Sequence, residues 1–146
     1  MRMLSRRLIL AFLPAAVHAA GRGQAVRGRL APGSPARLAR EGGADLELTG
    51  DAPTLAVLAD PRLKNADFEA IGESLGSGRF RVAPIHQRNM FVHKDGKRLQ
   101  ISYWCEVCSI RTWSPGVCMC CQDETALDLK ESFEGTGPGQ TGGPTA

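Results

Sequence analysis

The sulfur-bearing side chains that could carry chemistry are concentrated in one short stretch. All five cysteines of the 146-residue chain lie between positions 105 and 121. Four of them form two Cys-x-x-Cys pairs that are separated by nine residues: Cys105, Cys108, Cys118 and Cys121. Two such pairs can wrap tight turns around opposite sides of one ion and place four thiolates at the corners of a tetrahedron. The spacing therefore predicts a four-cysteine metal site.

Zinc is the metal expected at such a site, because it accepts four thiolates without a geometric penalty. Iron in a rubredoxin-like arrangement is the alternative, and it would make the protein an electron carrier. An ion held by four thiolates has no open position for a substrate or a water molecule, which disfavours metal-assisted hydrolysis. No P-loop, dinucleotide-binding motif or Ser/His/Asp arrangement stands out in the chain. These features favour a protein that is not an enzyme.

Cys120 is ambiguous, because it adds a fifth sulfur to a site with four corners. It can serve as an alternative ligand or remain a free thiol beside the metal. Two other interpretations of the cluster stay open. In an oxidising compartment the cysteines can form disulfides, although five cannot all pair within one chain. Alternatively, Cys105 and Cys108 can act as a redox dithiol.

The residues before the cysteines predict short strands that would position them. Apolar and polar residues alternate around Leu46 and Leu48, around Phe80 and Val82, and from 98 to 103, which predicts strands with one buried face and one solvated face. Asp95-Gly96 separates the runs 89–94 and 97–104 and is typical of a tight hairpin turn. The last strand of this hairpin leads directly into Cys105.

One short helix is expected after Asp51, which can cap it, with Leu55 and Leu58 on a shared face and Asp60-Pro61 at its end. Five to seven short strands with one helix predict a mainly β fold, which we interpret as a small, partly open OB-like barrel followed by a pair of metal knuckles. An α+β sandwich is the alternative. Neither fold by itself establishes a function.

The first 19 residues resemble a cleavable export signal. A short basic segment with Arg2, Arg6 and Arg7 precedes an apolar run from 8 to 17, which is too short to span a bilayer as a stable helix. Small residues then precede Ala20, where we expect cleavage. The Arg6-Arg7 pair followed by apolar residues is similar to a twin-arginine signal. The predicted location is therefore the periplasm or the medium.

The remaining chain divides by composition into four parts. We expect a flexible arm at 20–43 that can contain a first strand, a β-domain at 44–104, a cysteine-rich metal-binding segment at 105–134 and a disordered tail rich in Gly and Pro at 135–146. The chain has 18 Lys and Arg against 15 Asp and Glu, and the export signal contains three of the basic residues, so the mature chain is balanced. This balance gives no strong nucleic-acid signal, and we expect no membrane span in the mature chain.

The motif around the cysteines carries a resemblance. Tyr103-Trp104-Cys105 with Cys108, Ile110-Arg111-Thr112, Pro115-Gly116 and the Cys118-Met-Cys120-Cys121-Gln122 run is similar to a group of uncharacterised exported bacterial proteins. The resemblance implies that Cys120 belongs to the motif, and it implies no activity. The resulting hypothesis is an exported, non-catalytic binding or scaffold module with a structural metal site, whose partner could be another envelope protein. A redox protein and an envelope copper- or zinc-handling protein are the alternatives.

Overall fold

Nine strands and one helix make up the fold of residues 23–131, which are the residues that the computed structural model describes. In chain order the strands and the helix are β1 (Gln24–Ala31), β2 (Ala36–Ala39), β3 (Leu46–Thr49), α1 (Ala52–Leu58), β4 (Asp67–Gly76), β5 (Arg79–Val82), β6 (Met90–Lys94), β7 (Lys97–Cys105), β8 (Ile110–Thr112) and β9 (Ala126–Glu131). Short 3₁₀ turns occupy Pro61–Leu63 and Ile85–Gln87. The predicted export signal and the predicted tail lie outside the described residues.

The first five strands close into a barrel. Their order around the ring is β1-β2-β3-β5-β4, and β4 returns to pair with β1 from Gln24↔Gly72 to Arg29↔Asp67. The β3–β5 pair is parallel and the other pairs are antiparallel. α1 lies between β3 and β4 in the chain. The predicted small OB-like barrel is therefore confirmed, and the β1–β4 pairing closes the ring.

The barrel core is built by residues at every second position of the strands. The predicted alternation is confirmed at Leu46 and Leu48 and at Phe80 and Val82, whose side chains are buried. The least exposed large side chains of the described residues are Leu30, Leu38, Leu48, Val57, Leu58, Leu63, Phe68, Phe80, Val82 and Tyr103. Burying an apolar side chain of this size contributes about 1.5–3 kcal/mol. This core supplies a rigid base for the segment that follows.

Residues 24–39, within the segment that we expected to be a flexible arm with a possible first strand, contain two paired strands. Val26 and Leu30 of β1 and Ala36 and Leu38 of β2 are buried, so the arm-like composition conceals a regular alternation. The Pro- and Gly-rich residues 32–35 form only the short connection between these strands. The Gly, Pro and Arg residues that suggested a flexible arm lie in this connection and on the outward-facing side of the strands.

The short helix α1 begins as predicted, at Asp51. The Asp51 carboxylate accepts a hydrogen bond from the Thr54 backbone N–H at 3.0 Å, and the chain leaves the helix before Asp60-Pro61. Of the two leucines predicted to share a face, Leu58 is buried, whereas Leu55 is 43% exposed. The buried face consists of Thr54, Val57 and Leu58. These three residues lie at i, i+3 and i+4, so the face that packs on the barrel is displaced by one position from Leu55.

The strands β6 and β7 extend the sheet beyond the barrel. Asp95 and Gly96 both have positive φ, at 52° and 74°, as a type I′ turn requires, so the predicted hairpin is confirmed. β6 pairs with β4, and β7 pairs with β6, β8 and β9. The prediction of one solvated face on β7 is wrong, since Gln100 and Ser102 are buried. On this second face the Arg111 side chain of β8 donates to the Ser102 hydroxyl.

The last strand, β9, contains Leu127 and Leu129. β9 pairs with β7 from Leu99↔Glu131 to Trp104↔Ala126. Within residues 23–131, no helix is long and apolar enough to cross a membrane.

Candidate metal centre

The first Cys-x-x-Cys pair forms the turn between β7 and β8. Cys105 is the last residue of β7 and lies opposite Ile110 of β8. The Cys108 backbone N–H donates to the Cys105 Sγ at 3.4 Å. Ser109, which follows the pair, has a positive φ of 53° and turns the chain into β8. This short turn directs both sulfur atoms inwards.

The second pair repeats this design without a regular strand on either side. The Cys118 N–H donates to the Asp123 carbonyl at 2.8 Å, and the Gln122 N–H donates to the Cys118 carbonyl at 3.0 Å. Gln122 follows the pair as Ser109 follows the first one, and its φ of 64° is also positive. A bridge between Val117 and Glu124 closes the loop. The two knuckles therefore share one local backbone solution, a left-handed residue directly after the second cysteine.

The fold brings together the four sulfur atoms that the spacing selects. The Sγ atoms of Cys105, Cys108, Cys118 and Cys121 all lie within 4.8 Å of one another. The Cys105 and Cys121 sulfurs are 3.4 Å apart. Four thiolates at about 2.3 Å from one tetrahedral ion would be separated by about 3.8 Å. The group is therefore compact enough to hold a metal ion, and its all-sulfur donor set suits zinc or iron.

The cluster is buried on one side and open on the other. Cys105 and Cys118 are buried, with 2% and 1% of their surface exposed, whereas Cys108 and Cys121 are half-buried. Cys120 is exposed and lies outside the group of four. The structure thus brings together the four predicted ligands, and the ambiguous fifth cysteine is not one of that group.

Backbone hydrogen bonds favour the thiolate form of Cys118, the first cysteine of the second pair. Hydrogen bonds from the backbone of Cys121 and Cys120 lower the pKa of the Cys118 thiol to about 7. In contrast, contact with the Cys120 thiol raises the pKa of Cys108, and burial adds to the effect. Thiols must lose their protons to bind a metal. The backbone of its own loop therefore makes the Cys118 thiol easier to deprotonate than an ordinary cysteine thiol.

The cysteine-rich segment is fastened to the barrel at Thr125. Its backbone N–H and its hydroxyl both donate to the Gly116 carbonyl, at 3.0 and 2.7 Å. Its own carbonyl accepts a hydrogen bond from Arg62 Nη1 at 2.9 Å. Thr125 is only 2% exposed. It joins the second knuckle to the turn that follows α1.

Arg62 in turn belongs to a buried polar group. It contacts both carboxylate oxygens of Asp60, at 2.9 and 3.1 Å. Tyr103 of β7 donates its hydroxyl to Asp60 Oδ2 at 2.9 Å. Burial by itself would raise the pKa of Asp60, but the bonds from Arg62 and Tyr103 outweigh burial and lower it. Sequence reasoning missed this group, because no local pattern connects residues more than forty positions apart.

A cation–π contact forms a further connection between the segment and the sheet. The Arg88 guanidinium lies 4.4 Å from the centre of the Trp113 ring. Arg88 precedes β6, and Trp113 directly follows β8. Such contacts contribute about 0.5–1 kcal/mol at exposed sites.

The outer face of the barrel carries alternating charges. On the face of β2 and β3 that OB barrels commonly use for ligands, Arg37 lies opposite Glu47, and Glu47 lies beside Arg79 of β5. The other outward positions of these two strands are Ala39 and Thr49. This surface therefore offers neither a stacking aromatic ring nor an unbalanced positive charge to a nucleic acid.

No protein-family model, curated protein or solved structure matches this chain. The assignment of the site thus depends on its own geometry.

Proposed function

We propose that this protein is an exported, non-catalytic binding or scaffold module whose OB-like barrel carries a structural zinc site. The observation that carries the proposal is the convergence of four cysteine sulfurs within 4.8 Å at the end of β7. A thiolate set of this kind binds zinc firmly and leaves no position for a substrate. The ion would act by holding the chain in place.

The segment between β7 and β9 is the part that needs such a cross-link. Between residues 106 and 124 its only strand is the three-residue β8. Several of its apolar residues are exposed, with Val107 at 67%, Val117 at 60% and Met119 at 94%, and Trp113 is only half-buried. Core packing therefore supplies little of its order, and an ion bound by Cys105 and Cys118 would tie both knuckles to the barrel.

The exposed apolar residues at the knuckles support a binding role. Val107 and Met119 each lie within one of the two Cys-x-x-Cys turns, which the sulfur cluster brings to the same end of the molecule. Contiguous exposed apolar patches are typical of contact surfaces for other proteins. We therefore propose that the ion stabilises a surface that another envelope protein recognises.

The export proposal depends on residues 1–19. A twin-arginine route would suit a protein that binds its metal before it crosses the membrane. Changing Arg6 and Arg7 together to Lys should abolish secretion through that route and should have little effect on the general route. Fractionation of cells that produce the full chain measures the difference, and intact mass shows whether the exported form begins near Ala20. An exported form that still begins at Met1 would contradict cleavage.

The metal proposal is tested on full-length protein purified without added metal. We expect about one zinc per chain by elemental analysis and no visible absorption. Serine substitutions of Cys105, Cys118 or Cys121 should each remove stoichiometric zinc, whereas Cys120→Ser, the matched cysteine control, should retain it.

Other results distinguish the alternatives. A coloured protein that contains iron bound by thiolates would indicate an electron carrier instead of a zinc protein. A metal-free protein with fewer than five titratable thiols would identify disulfides. Zinc retained by the Cys105→Ser variant would refute a site built on the four-sulfur group.

A further inference from the structure

The strand β9 lies at an edge of the sheet. Among the described strands, only β7 pairs with β9. An edge strand presents backbone N–H and C=O groups on its outer side, where another strand can pair with them. β9 is six residues long, Ala126–Glu131, and contains neither Gly nor Pro. It is therefore regular enough to accept a second strand.

One face of β9 leaves apolar surface at this edge. Leu127 and Leu129 pack against the hydrophobic core, yet both are only half-buried. Directly opposed residues on paired strands have Cβ atoms about 4.5–5.5 Å apart, so a neighbouring strand covers side chains of this kind. Pairing with a further strand would therefore bury apolar surface that β9 leaves exposed.

The opposite face of β9 carries an acidic and a basic side chain two positions apart. The Asp128 side chain is 30% exposed and accepts a hydrogen bond from Arg111 at 2.7 Å. The Lys130 side chain is 50% exposed, and its Nζ lies 3.8 Å from Asp128 Oδ2. When two copies of β9 pair antiparallel about Leu129, Asp128 of each copy lies opposite Lys130 of the other. The strand is therefore complementary in charge to a second copy of itself.

The charges also select this register over its neighbour. A two-fold axis perpendicular to the sheet keeps every side chain on its own face, so opposed residues must be an even number of positions apart. The two longest pairings that satisfy this condition within β9 are centred on Asp128 and on Leu129. The first sets Asp128 against its own copy, and like charges directly opposite each other are destabilising. The second sets leucine against leucine on the axis and opposite charges on both sides of it.

We propose that the chain forms a two-fold symmetric dimer in which two copies of β9 pair antiparallel about Leu129 and join their sheets into one. This is strand addition at a sheet edge with a second copy as the partner. The arrangement closes on itself, because each copy uses the same edge, and it does not extend into a filament. Glu131 lies at the end of the paired region and keeps its ion pair with Lys97. The dimer goes beyond the proposed function and does not require the metal, since β9 is held by β7.

Analytical ultracentrifugation of the full-length chain over a micromolar concentration series tests the dimer. Lys130→Glu should raise the dissociation constant at least about tenfold, because both symmetry-related pairs then oppose like charges. Lys94→Glu makes the same charge change at an exposed position of β6 and should dimerise as the wild type does. A wild type that is monomeric throughout the series, or a Lys130→Glu dimer as stable as that of the wild type, would overturn the proposal.

A mixture of two variants tests the register. Asp128→Lys should also fail to dimerise alone, whereas an equimolar mixture with Lys130→Glu should form dimers, because every opposed pair is then of opposite charge. Circular dichroism checks that each variant is folded, since Asp128→Lys also removes the bond from Arg111. Two folded variants that do not associate would overturn the register centred on Leu129.

Hydrogen exchange supplies a measurement that needs no Asp128 variant. The amides of β9 should become more protected as the wild-type concentration rises, and Lys130→Glu should lose this dependence. Protection of every β9 amide in a monomeric wild type would show that the chain's own residues cover the edge, and it would overturn the proposal.

Discussion

Replacing Tyr103 by Phe should measure the strength of the buried junction between the barrel and the sheet extension. Tyr103 is fully buried, and its hydroxyl donates to Asp60 Oδ2 at 2.9 Å. Phe preserves the packing of the ring and removes only this hydrogen bond. Hydrogen bonds to charged groups contribute about 1.5–3 kcal/mol. Because Arg62 still contacts both Asp60 oxygens, we expect a loss near the lower end, about 1.5 kcal/mol.

Equilibrium urea unfolding of the zinc-loaded protein is the assay. Far-ultraviolet circular dichroism should report the barrel, and tryptophan fluorescence should report Trp104 and Trp113 in the sheet extension. Coinciding transitions justify a free energy of unfolding from linear extrapolation.

Arg27→Gln provides a control with similar geometry and different burial. Arg27 contacts Asp67 at 2.8 and 2.6 Å, but it is exposed. Exposed ion pairs contribute little, so this variant should unfold close to the wild-type midpoint. A loss of less than about 0.5 kcal/mol for Tyr103→Phe would fall well below the usual range for a bond to a charged group and refute the reasoning.

Three further predictions concern the barrel, the ion and pH. Gly72→Ala should abolish stable folding in a thermal melt, because a Cβ at Gly72 would lie 2.0 Å from the Arg81 carbonyl oxygen, whereas Gly43→Ala should melt normally, since its nearest neighbour is 3.4 Å away. A chelator should increase hydrogen exchange at 106–124 and leave β9 protected by its pairing with β7. In excess chelator, the free-energy difference between the wild type and Tyr103→Phe should shrink as the pH falls below the lowered pKa of Asp60.

The sign of the pH effect follows from the direction of the shift. Folding lowers the pKa of Asp60 from an ordinary value of 3.8, so its stabilising contribution is complete above that value. It is lost as the pH falls through the folded-state pKa. A free-energy difference between the wild type and Tyr103→Phe that grows as the pH falls would contradict this account.

The sequence correctly predicted the features that depend on residues only a few positions apart. The Asp95-Gly96 turn needs only two residues that tolerate positive φ. The Asp51 cap acts on an N–H three positions away. Each cysteine knuckle closes within four residues, so its spacing is visible in the sequence. The meeting of the two knuckles was a reasonable inference because a Pro-Gly turn lies between them.

The features that depend on distant partners were not predictable in this way. Gln100 and Ser102 look like solvent-facing positions, yet the Ser102 hydroxyl donates to the Asp128 carbonyl and accepts a bond from Arg111. Leu55 fits a helical face and remains exposed, because the barrel packs against the neighbouring face. Two-residue periodicity gives the phase of a strand but not which elements cover its second face.

The strand β7 should tolerate insertions and deletions less well than the loop that follows β8. Tyr103 and Cys105 are two residues apart and are both buried, so they face the same side of the strand. Adding or deleting one residue between Gly96 and Tyr103 would reverse both side chains together and separate the barrel from the sulfur cluster. The loop from 113 to 117 has no strand register to keep, although Trp113 contacts Arg88 and the Gly116 carbonyl accepts two bonds from Thr125. Length variation should therefore be tolerated better at Ser114 and Pro115, between these contacts, than in the strand, which makes these two positions the suitable place to insert a reporter sequence.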